Sequence, residues 1–202
     1  GLTPTRPFMA DGQMMLPSVS VPTPSAARLA ATATAVPELE PHEKYYFSLF
    51  VRSKYATGTT KVKADKAQLK RGVTDKAMLF QKIRQLEVPI GAYMQNGVPI
   101  PQEALALYIS VNPRDMQKAA LNTLVTLAQQ VRDGNITANP HQEALSQIQQ
   151  SKSRTCYIDF DIDEKDPVRL AEIVQQIEQY VNKSAITLLS TRGGIHCLID
   201  PA

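Results

Sequence analysis

Three aspartates near the end of the chain, Asp159, Asp161 and Asp163, occupy every second position of a strand-like segment. Strand side chains alternate between two faces, so the three carboxylates share one face. The apolar residues of the segment are predicted to face a core on the other side: Ile158, Phe160 and Ile162. Carboxylates at this spacing repel one another, and a divalent cation such as Mg²⁺ or Mn²⁺, which prefers oxygen ligands, relieves that repulsion. The pattern alone is also typical of a strand that runs into a solvated acidic loop.

A second segment with candidate chemistry follows after one helix. His196 lies in a short apolar strand directly behind Arg192, Gly193 and Gly194. We expect the glycines to turn the chain, because glycine adopts positive φ angles at little cost. The backbone N–H of Gly194 and the guanidinium of Arg192 are donors suited to phosphate oxygens, and Ser190 is a further candidate contact for a nucleotide. A single histidine in a strand is more often structural than catalytic.

The elements between these segments must position them. Asp166 and Pro167 are typical of a helix N-cap and first turn, and apolar residues recur at helical spacing over residues 168–181. Strand-like runs over residues 185–190 and 195–199 follow. The order strand, helix, strand, hairpin, strand predicts that the first two strands run parallel. The carboxylates and the histidine form one site only if their strands are neighbours.

Two motifs, Ile158-Asp159-Phe160-Asp161 and Gly194-Ile195-His196, resemble the first two motifs of the archaeo-eukaryotic primase superfamily, which includes the primase-polymerases. The resemblance implies an α/β (α+β) fold in which an RRM-like β-α-β-β catalytic half packs with a second small α/β lobe. It also implies a nucleotidyltransferase that uses Mg²⁺ or Mn²⁺ to add NTPs or dNTPs on a single-stranded nucleic-acid template. Asp159 and Asp161 would then bind the metal, and His196 would contact the phosphates of the incoming nucleotide.

A partial resemblance lies upstream. The apolar run over residues 107–111 ends in Asn112-Pro113, as strands in the N-terminal half of this superfamily often do, and Arg114 is a further candidate nucleotide contact. An Asn-Pro pair is also explained by helix capping alone, because Asn caps a helix and Pro starts it. We therefore predict a helix from about Pro113 to Arg132.

The third motif of the superfamily is an acidic residue well after the histidine, and only Asp200 follows His196 in this sequence. Asp200 is therefore a weak candidate metal ligand. Three interpretations stay open. The chain is an active primase-like enzyme, completed by residues absent here. Alternatively, it is a catalytically degenerate relative that serves as a nucleic-acid-binding or scaffold subunit, or an unrelated phosphotransfer enzyme with a D-x-D strand, of the haloacid dehalogenase type.

Bulk charge does not identify a ligand, because the formal net charge is only +3. Its distribution is more informative. Several basic residues in one stretch are candidates for contacts with a nucleic-acid backbone: Lys61, Lys63, Lys66, Lys70 and Arg71. A solvated, lysine-rich loop explains the same composition.

Residues 1–41 hold half of the 14 prolines and show little periodicity, which predicts an extended arm rather than a domain. Apolar residues of the arm are candidate anchors on a protein partner: Phe8, Met9, Met14, Met15 and Leu16. Residues 42–202 are predicted to form the primase-like domain, with an N-terminal lobe over 42–150 and the RRM-like half over 151–202. We expect no membrane partner and a cytoplasmic location, in a host cell if a virus or plasmid encodes the chain, since no bilayer-spanning run or secretion signal occurs.

Overall fold

The computed structural model describes residues 35–56, 67–135, 137–191 and 193–201. Most of the predicted arm and several candidate contacts lie outside these residues: residues 1–34, Lys61, Lys63, Lys66 and Arg192. Within the described residues the protein has the expected mixed α+β class, and the strands pair in antiparallel sheets.

The elements are numbered in chain order. The strands are β1 (Glu43–Val51), β2 (Gln68–Thr74), β3 (Met94–Gln95), β4 (Val98–Pro99), β5 (Leu105–Ile109), β6 (Arg114–Asp115), β7 (Ile158–Ile162), β8 (Ile186–Ser190) and β9 (Ile195–Ile199). The α-helices are α1 (Leu79–Arg84), α2 (Met116–Arg132), α3 (Pro140–Gln150) and α4 (Pro167–Glu178). β1 lies between β2 and β5, β6 pairs with the beginning of β1, β3 and β4 form a hairpin, and β9 lies between β7 and β8.

The central strand β1 of the N-terminal sheet has two differently used faces. Phe47, Leu49 and Val51 are buried in the main core. Residues that follow α1 and precede or begin β5 complete this core: Leu86, Tyr93, Ile100, Ala104 and Leu105. Full burial of a large aliphatic side chain stabilises a fold by roughly 1.5–3 kcal/mol relative to exposure. The buried cluster therefore gives this half a hydrophobic core of its own. Tyr46, on the other face of β1, packs against α2 and α3.

Helix α2 begins later than the sequence predicted. Its first residue is Met116 rather than Pro113, and its cap is Asp115 rather than Asn112. The Asp115 carboxylate accepts the backbone N–H of Lys118 at 2.8 Å, which satisfies one of the free donors of the first turn. Asn112 is therefore available for a different contact.

The packed face of α2 also differs from the prediction. Leu124 and Val131, which helical spacing places on one apolar side and so predicts to be packed, are largely exposed, whereas Ala119 is buried. The helix meets α3 partly through polar pairs, such as the hydrogen bond from Gln147 Nε2 to Thr126 Oγ1 at 3.3 Å. The position of α3 decides which stripe of α2 is covered, and helical periodicity does not contain that information.

The C-terminal sheet follows the predicted order of elements. Helix α4 begins at Pro167 behind its cap Asp166, whose carboxylate accepts the N–H of Val168 at 3.0 Å. β7 and β8 run in the same direction, as predicted, because each pairs antiparallel with β9. The two strands are therefore parallel in direction without being neighbours.

The apolar face of β7 is less buried than predicted. Ile158 and Phe160 are 46% and 47% exposed, so the prediction that they face a core is wrong. Helix α4 packs over the other two strands, where Leu170 and Val174 line a groove with Leu188. Within the described residues β7 pairs only with β9, so its apolar side chains lie at the edge of the sheet.

Side chains of Asn112 and Arg154 are among the groups that join the N-terminal half to the segment that leads into β7. Asn112 Oδ1 accepts the backbone N–H groups of Cys156 and Tyr157 at 2.7 and 2.9 Å, and Asn112 Nδ2 donates to the Tyr157 carbonyl at 2.9 Å. Arg154 Nε donates to Oε1 of the buried Glu43 at 3.0 Å. The Asn112 side chain thus makes hydrogen bonds with the backbone of Cys156 and Tyr157 like those of an adjacent strand, and these bonds fix the position of the chain just before β7.

Candidate functional site

The strand that carries the aspartates and the strand that carries the histidine are direct neighbours. In the pairing of β7 with β9, Asp161 is opposite His196 and Asp159 is opposite Leu198. Residues in opposite positions share a face, so both carboxylates and the imidazole project to the same side. His196 Nδ1 donates to Asp159 Oδ1 at 2.8 Å, and Nε2 lies 3.7 Å from Asp161 Oδ1. The adjacency on which the sequence interpretation depends is confirmed.

This arrangement changes the proton affinity of the imidazole. The hydrogen bond with Asp159 raises the pKa of His196 above its ordinary value, against the opposing effect of partial burial, and the charges of Asp161 and Asp163 raise it further. The 3.7 Å separation from Asp161 exceeds a hydrogen bond, so Nε2 is the ring nitrogen that a ligand oxygen can approach. One carboxylate therefore orients the ring, and Nε2, which carries a proton when the ring is charged, lies beside the other.

Asp159 and Asp161 offer the oxygen ligands that a hard divalent cation prefers. Their side chains are 33% and 62% exposed, so an ion can reach both from solvent. In the part of the chain that the structure describes, no group of three or more His, Cys, Asp and Glu side chains is arranged to hold a metal ion. Mg²⁺ is usually bound by one or two carboxylates together with substrate phosphates, so two aspartates fit a cation that arrives with a nucleotide.

Two candidate residues lie away from His196. Ser190 is opposite Ile195 in the pairing of β8 with β9, which places its side chain on the face away from His196. Asp200 directly follows β9, where its charge adds to burial in raising the pKa of Tyr157, the residue before β7, whereas His196 is opposite Asp161, near the end of that strand. Contact of Ser190 with a nucleotide stays a prediction. Asp200 also belongs to no metal-ligand group among the described residues.

Gly194 is required for space rather than for its turn conformation. Neither Gly193 nor Gly194 has a positive φ, contrary to the expectation from sequence. A Cβ on Gly194 would lie 2.0 Å from the Ile162 carbonyl oxygen, so only glycine allows the turn to approach the end of β7 this closely. The backbone N–H of Gly194 donates to Thr191 Oγ1 at 3.1 Å, so the turn itself uses the donor that was predicted to meet phosphate.

Side chains of the N-terminal half border the acidic face. Lys54 Nζ lies 3.9 Å from Asp163 Oδ1. Burial raises the pKa of Tyr108 in β5, and the nearby charge of Asp161 contributes to the rise. An exposed ion pair such as Lys54 with Asp163 adds little stability, but these contacts show where the two halves meet.

A cavity of about 280 Å³ opens on the N-terminal sheet beside Tyr108. Its lining includes hydroxyl and guanidinium groups of Ser48, Arg52, Ser110 and Arg114. Arg114 thus lines a cavity that contains none of Asp159, Asp161 and His196. The sequence does not single out Ser48 or Ser110, although strand alternation indicates that Ser48 shares a face with the basic residue Arg52.

The structure describes two of the basic residues that were predicted to contact nucleic acid. Lys70 is exposed on β2. Arg71 donates to Ser146 Oγ at 3.4 Å and to the Gln142 carbonyl at 3.3 Å, so it ties α3 to the sheet. Contact of this stretch with nucleic acid stays a prediction.

Comparison with models of known protein families, with curated proteins and with solved structures finds no match to this chain. Among the residues described, no helix has both the length and the apolar character that crossing a membrane requires. The function is therefore inferred from the site itself.

Proposed function

We propose that this protein is a metal-dependent nucleotidyltransferase of the primase or primase-polymerase type, which adds NTPs or dNTPs on a single-stranded nucleic-acid template. The observation that supports this most is the pairing of β7 with β9, which sets His196 2.8 Å from Asp159 and 3.7 Å from Asp161 on one face. Carboxylates for a cation and a donor for a phosphate oxygen are the groups that such a transfer requires.

Each residue of the site would have a separate role. Asp159 and Asp161 would hold Mg²⁺ or Mn²⁺. When bound, the cation would supply positive charge that lowers the pKa of the attacking hydroxyl and neutralises the triphosphate. His196 Nε2–H would donate to a phosphate oxygen, while the Nδ1 bond to Asp159 keeps the ring in place. Both ring nitrogens carry a proton only in the imidazolium form, so this role requires the charged ring. Arg192, outside the described residues, stays a predicted nucleotide contact.

The proposal includes an RRM-like catalytic half over residues 151–202. The strand-helix-strand-strand order, with β9 between β7 and β8, supports it. Helix α4 supports it as well, because the groove that it lines contains Leu188 and Ile195, on the face opposite His196. The acidic face is thus left for ligands.

The test is templated incorporation of labelled nucleotides in the presence of Mn²⁺ by the wild-type chain and by the double variant Asp159→Asn, Asp161→Asn. We expect the double variant to lose roughly a hundred-fold or more in rate, because neutral amides replace the charges at the reacting centre. Asp133→Asn, an equivalent change at the exposed end of α2, is the control and should keep full activity. Full activity in the double variant would refute the mechanism.

A second candidate is a catalytically degenerate relative that binds nucleic acid or serves as a scaffold subunit. It is favoured by the lack of a three-residue metal-ligand group in the described ranges. It predicts no incorporation by the wild-type chain and nucleic-acid binding that is unchanged by Mn²⁺ and by the double variant. An unrelated D-x-D phosphotransfer enzyme would instead act on a phosphorylated small molecule without a template.

The remaining partners belong to the proposal as well. The basic stretch over residues 61–71 would contact the template, and residues 1–34 would bind a protein partner through their apolar anchors. A cytoplasmic location would supply the nucleotides.

A further inference from the structure

The most informative feature outside the metal site is the cavity beside Tyr108. It lies on the face of the N-terminal sheet that is turned away from the main core. Arg52, after β1, and Arg114, in β6, both line it, and none of the described residues in its lining carries a carboxylate. Two guanidinium groups in a cavity without an acidic side chain favour an anionic ligand.

The guanidinium of Arg114 has a buried N–H group that such a ligand would satisfy. Its Nε is buried and has no hydrogen-bond partner among the described residues. Burial lowers the pKa of Arg114, but an arginine keeps its charge at neutral pH. A buried charged donor without a partner is strongly unfavourable, so an anion that accepts its N–H groups would explain the position of this side chain.

Neighbouring groups suit an oxyanion with several acceptor oxygens. Ser110 Oγ accepts the Tyr46 backbone N–H at 2.9 Å, which directs the hydroxyl proton away from that N–H. Arg52 donates to the Tyr108 hydroxyl, and its guanidinium carbon lies 5.8 Å from the centre of the Tyr108 ring. This contact holds Arg52 at the cavity, beside Tyr108, whose pKa is raised in part by the charge of Asp161.

We infer that the cavity is a phosphate-binding site, in which the planar guanidinium of Arg114 binds a phosphoryl group and Arg52 and Ser110 supply further donors. The choice of phosphate over other oxyanions rests on the proposed function, since the cavity adjoins the side on which Asp161 lies. Two sources share this chemistry: the triphosphate of a nucleotide and the phosphodiester backbone of a template.

The test uses the full chain and inorganic tripolyphosphate in EDTA at low salt, measured by titration calorimetry. EDTA removes divalent cations, so binding reports on the cavity rather than on Asp159 and Asp161. We expect Arg114→Gln to bind roughly ten-fold more weakly than the wild-type chain, or worse, as expected for loss of a charged bidentate contact. Arg84→Gln removes an exposed arginine of α1 outside the cavity and, as the matched control, should keep wild-type affinity.

If a melting curve shows that Arg114→Gln does not fold, Arg114→Lys tests instead whether Arg114 binds the anion. Lysine keeps the charge but not the planar fork, so we expect affinity to fall roughly three-fold or more. Titrations with a nucleoside triphosphate and with a single-stranded oligonucleotide then identify the natural ligand. The affinity for that ligand should fall in the Arg114 variants, and the affinity for the other should not.

Absence of tripolyphosphate binding, or binding that neither Arg114 variant weakens, overturns the inference. A wild-type chain that binds tripolyphosphate through Arg114 but incorporates no nucleotide with Mn²⁺ would refute the proposed function and leave the phosphate site standing.

Discussion

Glu43 is a buried carboxylate that links the two halves of the molecule. Its side chain is 1% exposed, Arg154 Nε donates to Oε1 at 3.0 Å, and the Glu40 backbone N–H donates to Oε2 at 2.9 Å. Burial by itself raises the pKa of Glu43, but the hydrogen bonds from Arg154, Glu40 and Ser153 together hold it below its ordinary value. Such a carboxylate stabilises the fold above the unfolded-state pKa, and the contribution is lost as the pH falls through the folded-state pKa.

We therefore expect Glu43→Gln to lower the free energy of unfolding at pH 7 by roughly 1–3 kcal/mol, because Arg154 loses its charged partner. The difference between wild type and variant should shrink as the pH falls below about 4.3, the ordinary pKa of a glutamate. Urea unfolding at pH 7 and at pH 3 measures both effects. Glu172→Gln on the exposed side of α4 is the control, and an equal difference at both pH values would contradict the prediction.

Residues whose position follows from strand alternation could be recognised in the sequence. Asp159, Asp161 and His196 share a face because side chains of a strand alternate, and no knowledge of distant neighbours is needed for that. The role of Asn112 could not be recognised, since its partners follow 44 and 45 residues later. The local Asn-Pro pattern favours a helix cap, and Asp115 supplies that cap instead.

Among the elements, the turn into β9 sets the spacing between β9 and β7. A Cβ on Gly194 would lie 2.0 Å from the Ile162 carbonyl oxygen and 2.9 Å from the Glu164 nitrogen, both backbone atoms. We expect Gly194→Ala to displace the two strands, lower the free energy of unfolding by roughly 1–3 kcal/mol and break the bond between His196 and Asp159.

Gly193→Ala is the matched control for this prediction. A Cβ there would lie 3.0 Å from an oxygen of the Asp163 side chain, which can rotate away, so the cost should be small. Denaturant unfolding gives the stabilities, and NMR of the His196 imidazole reports its hydrogen bond. Equal behaviour of the two variants would show that the spacing does not depend on Gly194.

Helix ends are readable in this sequence, whereas the buried faces of elements are not. The caps Asp166 and Asn139 lie directly before Pro residues, and each starts a helix where the pattern predicts one. The exposure of Leu124 on α2 and of Phe160 on β7 was not predictable, because it depends on where α3 and α4 pack. The strand β2 is not recognisable in the sequence, because it is largely polar and contains a glycine.

In the whole molecule, the candidate site depends on how the two halves are joined. Arg114 and the phosphate cavity belong to the N-terminal half, and Asp159 belongs to the C-terminal half. Asn112 precedes Arg114 by two residues and binds the backbone of Tyr157, which precedes Asp159 by two residues. One amide side chain therefore connects the segment that leads to Arg114 with the segment that leads into β7.

Asn112→Ala removes three hydrogen bonds, and we expect it to lower the free energy of unfolding by about 2–4 kcal/mol. Asn112→Asp keeps the acceptor and loses only the donor to the Tyr157 carbonyl, so its effect should be smaller. Hydrogen exchange of the Cys156 and Tyr157 amides, followed by NMR, should accelerate in Asn112→Ala. Asn182→Ala removes one local bond from the Ser184 N–H and, as the control, should leave those two amides unchanged.

The same variant separates the two parts of the site. At a temperature where Asn112→Ala stays folded, we expect it to lose more of its Mn²⁺-dependent nucleotide incorporation than of its tripolyphosphate binding in EDTA. The cavity is lined only by residues of the N-terminal half, whereas the proposed reaction requires both halves in register. Equal loss of both activities, or loss of neither, would mean that other contacts, such as Glu43 with Arg154, hold the halves together.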